Sequence, residues 1–201
     1  MAKRLFDVLA SGLGLVMLSP LLVAIAVAVR LDSPGPALFH QERVGRYGRR
    51  FYIHKFRSMV CASSGYGPQI TAAGDRRITR VGRWLRRCKL DELPQLLDVL
   101  AGHMSLVGPR PEVPQYVDLS NPDQQEILTV RPGITGPTQL RYRDEAALFP
   151  PDIDADAFYR EHLLPRKILS DLGYVRQQPN WWGDVCLVLR TLRGASLPPA
   201  E

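Results

Sequence analysis

The longest apolar pattern in the chain lies at its start. Val8 to Val29 is twenty-two residues without a charge, flanked by Lys3, Arg4 and Asp7 on one side and Arg30 on the other. As one helix this run extends about 33 Å, the thickness of a hydrocarbon core. It is too long for a signal peptide, and Arg30-Leu31-Asp32 is no cleavage site. Two features argue against a simple span. Basic residues stand at both ends, although such residues favour the cytoplasmic flank. Pro20, near the middle, removes one backbone bond and frees the carbonyl of Val16, which the Ser19 hydroxyl is placed to satisfy. A re-entrant helix broken at Ser19-Pro20, entering and leaving by one face, fits both features. A kinked transmembrane anchor stays open.

Beyond it the pattern shortens and turns mixed. Asp32-Ser33-Pro34-Gly35-Pro36 is a turn cluster that ends the helix. Ala37 to Met59 predicts two short strands joined at Gly45 to Gly48, with Phe51, Ile53 and Lys55 alternating on one face. Residues 60 to 74 are small, polar and glycine-containing, a loop composition. Arg76 to Lys89 places Ile78, Val81, Trp84 and Leu85 at helical spacing and predicts an amphipathic helix. Leu90 to Leu100 predicts another helix, with Pro94 in its first turn, positions 93, 96, 97 and 100 on one face, and Gly102 as its stop. Residues 106 to 114 and 131 to 140 are Pro/Gly-rich and predict rigid loops, while Phe158 to Arg176 and Trp181 to Arg193 predict two amphipathic helices. The fold class expected is α+β: a membrane helix over 1–31, and a domain over 32–201 with a small β element and several amphipathic or interfacial helices.

Charge adds a direction. A net charge of +6 and a pI near 9.5 favour anionic partners: nucleic acid, phospholipid head groups or phosphorylated substrates. Seven of the fourteen residues from Arg76 to Lys89 are basic. Cys61, Cys88 and Cys186 are odd in number and far apart, which fits a reducing compartment better than a disulfide framework. The scattered histidines give no zinc pattern.

The chemistry concentrates at Asp91-Glu92. Adjacent carboxylates ahead of Pro94 stand where a helix N-terminus favours anions, and an isolated pair there is ordinarily a cap. Here a long basic helix precedes them. A carboxylate attacking phosphorus needs nearby cations to neutralise the transferring group, and a second carboxylate beside it suits Mg²⁺. Arg110, fixed between Pro109 and Pro111, reads equally as a guanidinium fork for phosphate or as a surface-loop arginine. Lys55 reads equally as a phosphate contact or an edge-strand charge. Trp181 and Trp182, with Arg190 and Arg193, suit a helix lying in a membrane interface or docked on the core.

Together these stretches resemble the monotopic bacterial sugar transferases, phosphoglycosyl transferases that begin lipid-linked glycan assembly. The resemblance runs through Lys3-Arg4-Leu5-Phe6-Asp7 and Ser19-Pro20, and through Arg43-Val44-Gly45 to Lys55-Phe56-Arg57-Ser58-Met59. It continues in Leu90-Asp91-Glu92-Leu93-Pro94-Gln95, residues 105 to 112 (SLVGPRPE) and residues 131 to 136 (RPGITG). It implies a re-entrant helix and a protein on the cytoplasmic face of the bacterial inner membrane. Asp91 would attack the β-phosphate of a UDP-sugar, releasing UMP; polyprenol (undecaprenyl) phosphate would then take the phosphosugar from Asp91. Mg²⁺ would sit on the Asp91-Glu92 pair, chiefly on Glu92. Lys55, Arg86 and Arg110 match positions expected to contact phosphate or charge. Gln139, Arg143 and Asp171 match more loosely, because residues 137 to 143 (PTQLRYR) depart from the commoner family pattern. The chain resembles the small form of the family, lacking the extra N-terminal helices of larger relatives, and a homodimer is left open. Three rival readings remain: a non-enzymatic binder of anionic membranes, a one-step transferase, and a nucleic-acid binder. The last is disfavoured by the apolar segment and the lack of aromatics interleaved with the arginines.

Overall fold

The computed structural model describes residues 2–60, 70, 74–150, 153–177 and 181–197. The expected loop at 60–74 falls mostly on residues outside these. Helix α1 (Ala2–Asp32) is followed by an antiparallel hairpin of β1 (Leu38–Val44) and β2 (Arg50–Phe56). Tyr47 and Gly48 turn that hairpin with positive φ of 59° and 72°. Helix α2 (Arg80–Cys88) leads into a 3₁₀ turn (Leu90–Gln95) and helix α3 (Leu96–Ala101). Next come β3 (Ser105–Val107), α4 (Pro122–Ile127), β4 (Gly133–Thr135) and α5 (Pro137–Arg141). Helices α6 (Ala155–Phe158), α7 (Leu164–Arg176) and α8 (Trp181–Leu192) complete the α+β architecture.

Helix α1 lies along the rest of the molecule. Its inner stripe, Asp7, Ser11, Ile25 and Val29, is buried at helical spacing, while Leu5, Leu9, Leu13, Val16, Met17, Val27 and Leu31 face outward. Both of its ends are tied to the same body. Lys3 donates to Val107 O (3.0 Å) and pairs with Asp184 (2.5 Å), and Arg4 donates to Val99 O (2.7 Å). At the other end the buried Arg57 guanidinium donates to the carbonyls of Ser33 (2.8 Å), Val29 (3.2 Å) and Pro34, and Asp32 accepts from the Val81 amide (2.9 Å). Helical conformation runs through Ser19-Pro20 instead of stopping there. Pro20 costs only one donor, and the Ser19 hydroxyl donates to the Val16 carbonyl at 2.8 Å, replacing the lost bond.

The hairpin follows its alternation. Phe51 and Ile53 point into a core with Val99, Met104, Val107 and Tyr174, and Lys55 shares their face. A second core joins α1 to α2: Ile25 and Val29 against Phe56 and Leu85. Leu85 is fully buried, worth about 2 kcal/mol, and truncating it to alanine would cost ~3 kcal/mol. Gly82 lets α2 approach this closely, because a Cβ there would meet Ser58 O at 2.0 Å.

Several elements differ from the sequence expectation in extent. Helix α2 begins at Arg80, not Arg76, because Thr79 caps it by accepting from the Gly82 amide (2.9 Å). The helix expected over Leu90–Leu100 is 3₁₀ up to Gln95 and α only from Leu96 to Ala101. Lys89, in the left-handed region at φ 57°, separates it from α2, and Gly102 at φ 87° ends it. Phe158–Arg176 contains a π turn at Tyr159–Leu163, next to Pro165, whose missing N–H disrupts regular bonding. The two Pro/Gly-rich loops pair as parallel strands, Ser105 with Gly133 and Val107 with Thr135. Glycine permits this contact: a Cβ on Gly133 would lie 2.1 Å from the Gly108 nitrogen.

Candidate active site

The left-handed Lys89 swings the chain out of α2, so that Asp91 and Glu92 fall in the first turn of the 3₁₀ segment, against β2. Glu92 Oε1 accepts from Arg110 Nη2 at 2.8 Å and lies 3.7 Å from Lys55 Nζ. Lys55 arrives from β2, and Arg110 from the Pro109-Arg110-Pro111 loop after β3. Asp91 is 8% exposed, and its Oδ1 is buried without a hydrogen-bond donor. An unpaired buried carboxylate oxygen is costly, and such exceptions concentrate where chemistry uses them.

The two carboxyls differ in electrostatics. Burial raises the Asp91 carboxyl above the usual range and neighbouring Glu92 adds to this, while Lys55, Arg86 and Lys89 oppose it. Burial also acts to raise Glu92, but Arg110 and Lys55 outweigh it and hold that carboxyl well below the usual range. Lys55 is itself lowered to about 8 by burial, against the pull of Glu92. Arg110 is pushed up, chiefly by Glu92. Four cations (Lys55, Arg86, Lys89, Arg110) therefore act on the two carboxylates, while Glu112 and Glu145 also pull on Arg110. Such a concentration of cations suits an anionic phosphate group.

Of the residues proposed from sequence, Asp91, Glu92, Lys55 and Arg110 gather directly, and Arg86 acts on Asp91 while its guanidinium touches Met59 Sδ (3.8 Å). The other three make no hydrogen bond or ion pair with the carboxylate pair among the described residues. Gln139 ties the paired loops, donating to Gly108 O (3.1 Å) and Gly133 O (3.2 Å). Arg143 lies near Gly194, with its carbonyl accepting from Lys89 Nζ (3.2 Å). Asp171 accepts from Thr138 Oγ1 (2.6 Å), and burial raises it to about 7. Asp171 lines a narrow cleft, partly open to solvent, together with Arg110, Glu112, Lys167 and apolar residues such as Val44, Ile127 and Leu164. Arg110 thus borders both the carboxylate pair and the cleft.

Sequence reasoning missed a buried network behind Arg110. Lys167 pairs with Glu112 (3.1 Å) and Glu145 (3.3 Å) and donates to Tyr159 OH (2.7 Å), and Tyr159 donates to Glu112 Oε1 (2.7 Å). Arg43 donates to Pro111 O (2.9 Å). Lys167 and Tyr159 lie some fifty residues from Glu112, and no local signal in the sequence joined them.

Among the described residues no three Asp, Glu, His or Cys side chains cluster as a ready-made metal site. The donors present fit Mg²⁺ only in company with phosphate oxygens: Asp91 Oδ1 has no donor, whereas Glu92 Oε1 is already held by two cations.

The bacterial sugar transferase family model matches residues 1–196. The chain is 41% identical over 194 residues, 95% of its length, to an Aeromonas hydrophila UDP-N-acetylgalactosamine-undecaprenyl-phosphate N-acetylgalactosaminephosphotransferase. It is 40% identical over 193 residues, 94% of its length, to a Caulobacter vibrioides UDP-glucose:undecaprenyl-phosphate glucose-1-phosphate transferase. An exopolysaccharide production protein PSS of Rhizobium leguminosarum bv. phaseoli is 42% identical over 183 residues, 86% of the chain. The chain spans 43% of the Aeromonas protein, 68% of the Caulobacter protein and 84% of the Rhizobium protein. With matching motifs spread along the whole described fold, the chain belongs to the bacterial sugar transferase family.

Proposed function

We propose that the protein moves a phosphosugar from a UDP-sugar to undecaprenyl phosphate, at the cytoplasmic face of the bacterial inner membrane, through a phosphosugar carried on Asp91. One observation carries the reading: Asp91 Oδ1 is a buried carboxylate oxygen with no donor, beside an ion-paired Glu92 and within reach of cations that outnumber the two carboxylates. Asp91 Oδ1 attacks the β-phosphorus, the bond from that phosphorus to the α–β bridging oxygen breaks, and UMP leaves with the bridging oxygen. A phosphate oxygen of undecaprenyl phosphate then attacks the same phosphorus, breaking its bond to Asp91 and restoring the carboxylate. Arg110 and Lys55 hold Glu92 and stand ready to neutralise charge on the transferring group. Mg²⁺, held by Asp91 and Glu92 with phosphate oxygens, would supply further charge neutralisation.

The membrane part of the reading draws on α1. A straight span would carry its ends about 46 Å apart on opposite sides of the bilayer, yet both ends bond to one polar body. A helix that stays helical through Ser19-Pro20 but bends there, entering and leaving by one face, would accommodate both attachments, with the apolar stripe from Leu5 to Leu31 turned toward lipid.

The names of the relatives carry N-acetylgalactosamine, glucose and galactose at similar identity, so the sugar is left to experiment. The full chain in nanodiscs with Mg²⁺, undecaprenyl phosphate and a panel of UDP-sugars is expected to release UMP with at least one donor. Without acceptor, a radiolabelled phosphosugar should remain on Asp91, and Asp91→Asn should lose both signals by about a thousandfold or more. UMP release from no donor would sink the transferase reading. Release without an adduct would favour one-step displacement.

A further inference from the structure

Helix α2 has two dissimilar sides. Gly82 and Leu85 are buried, and Val81 and Leu85 pack on Ile25, Val29 and Phe56. On the other side Arg80, Arg83 and Arg87 are exposed at helical spacing around Trp84, which is 52% exposed. Of the other exposed arginines, Arg50, Arg160 and Arg176 are ion-paired, with Glu42, Asp156 and Glu126, while Arg49, Arg166, Arg190 and Arg193 make no ion pair among the described residues. The three on α2 make no ion pair among the described residues, and the Arg80 charge acts on Asp32, at the end of α1. Like charges one turn apart repel each other, a cost that an external anionic surface would relieve.

The position of this face indicates which surface. Helix α2 lies beside the last turns of α1, whose outward residues Val27 and Leu31 are apolar and exposed. A tryptophan among arginines next to an apolar stripe is the pattern of a head-group boundary, with the ring at the interface and the guanidinium groups on phosphates. A nucleic-acid surface would lack that apolar neighbour. The geometry points to a binding surface for anionic phospholipid head groups, formed by Arg80, Arg83, Arg87 and Trp84. Because the chain passes from Cys88 through Lys89 and Leu90 to Asp91, this surface also sets how the carboxylate pair sits relative to the membrane. The inference rests on the membrane reading above and adds a lipid preference to it.

The test uses Trp84 as reporter in the full chain with Trp181→Phe and Trp182→Phe, which leaves a single tryptophan. The protein is placed in nanodiscs of seven parts phosphatidylcholine to three parts phosphatidylglycerol, with either lipid brominated in its acyl chains. Quenching per brominated phosphatidylglycerol should exceed that per brominated phosphatidylcholine, with the anionic lipid enriched about fivefold near Trp84. The excess should vanish in 1 M NaCl, and also in Arg80→Gln/Arg83→Gln/Arg87→Gln, while Arg→Lys changes at the same positions retain it. Equal quenching by the two lipids, with the protein incorporated, overturns the lipid surface and leaves the membrane reading standing. No incorporation into any disc overturns both.

Discussion

Adjacent in sequence, Asp91 and Glu92 titrate in opposite directions because their surroundings differ. Burial raises both, but Arg110 and Lys55 reverse the effect at Glu92. The consequence for catalysis is a bell-shaped pH profile. A nucleophilic Asp91 must be ionised, so activity falls as the pH drops through its raised value. Lys55 must be charged to meet phosphate, so kcat/KM of the wild type should fall again as the pH rises through about 8. Arginine does not lose its proton there, and Lys55→Arg should move the alkaline limb upward by more than one pH unit. Initial rates of UMP release across pH 5 to 10 decide it; an unmoved limb in Lys55→Arg would assign that limb to another group. The role of Asp91 was legible in sequence only as a carboxylate after a basic helix. The donorless oxygen depends on how β2 and the Arg110 loop close around it.

At the scale of elements, α7 reaches the site through Lys167. Glu112 stands two residues beyond Arg110 and competes with Glu92 for its charge, as its pull on Arg110 indicates. Lys167 and Tyr159 occupy Glu112 instead. Lys167→Met should therefore lower kcat/KM by about tenfold or more and cost ~3 kcal/mol of stability, the usual penalty for stranding one partner of a buried pair. Adding Glu112→Gln should recover most of both losses, because the two residues act as one unit. UMP-release kinetics and thermal melts of the single and double variants check this, and a double variant no better than Lys167→Met would exclude the competition. The sequence predicted a helix at α7 but could not pair Lys167 with Glu112, since nothing local links residues so far apart. The same limit hid the β3–β4 pairing, in which two glycine-containing loops meet only in three dimensions.

The whole molecule is organised around α1, which contributes to two cores and is fastened at both ends. In a variant with Cys61, Cys88 and Cys186 replaced by serine, Ala2→Cys should resist a membrane-impermeant maleimide in intact cells and react in inverted vesicles. Reaction from outside the cell would place the N-terminus across the membrane and remove the one-face arrangement. Detachment is informative too: Lys3→Met, which leaves the buried Asp184 without its cation and with only the Tyr174 hydroxyl as a side-chain donor, should loosen α8 as well as α1, read as a lowered melting temperature.

What the sequence determined by itself is what local physics can decide. Alternation set the buried face of the hairpin, helical spacing set α2, and Gly102 ended α3, because each depends on near neighbours. The uncharged run fixed α1 as a long apolar helix, and the bond from the Ser19 hydroxyl to the Val16 carbonyl freed by Pro20 followed from residues within one helical turn. Tertiary structure alone decided that both ends of α1 rest on one body and that Arg110 chooses Glu92. It also decided that Gln139 serves as a pin between loops, while Arg143 meets Lys89 through its carbonyl and Asp171 shares a cleft with Arg110. Those outcomes depend on long-range packing and on which charges end up buried together, and neither is written in any short window of the chain.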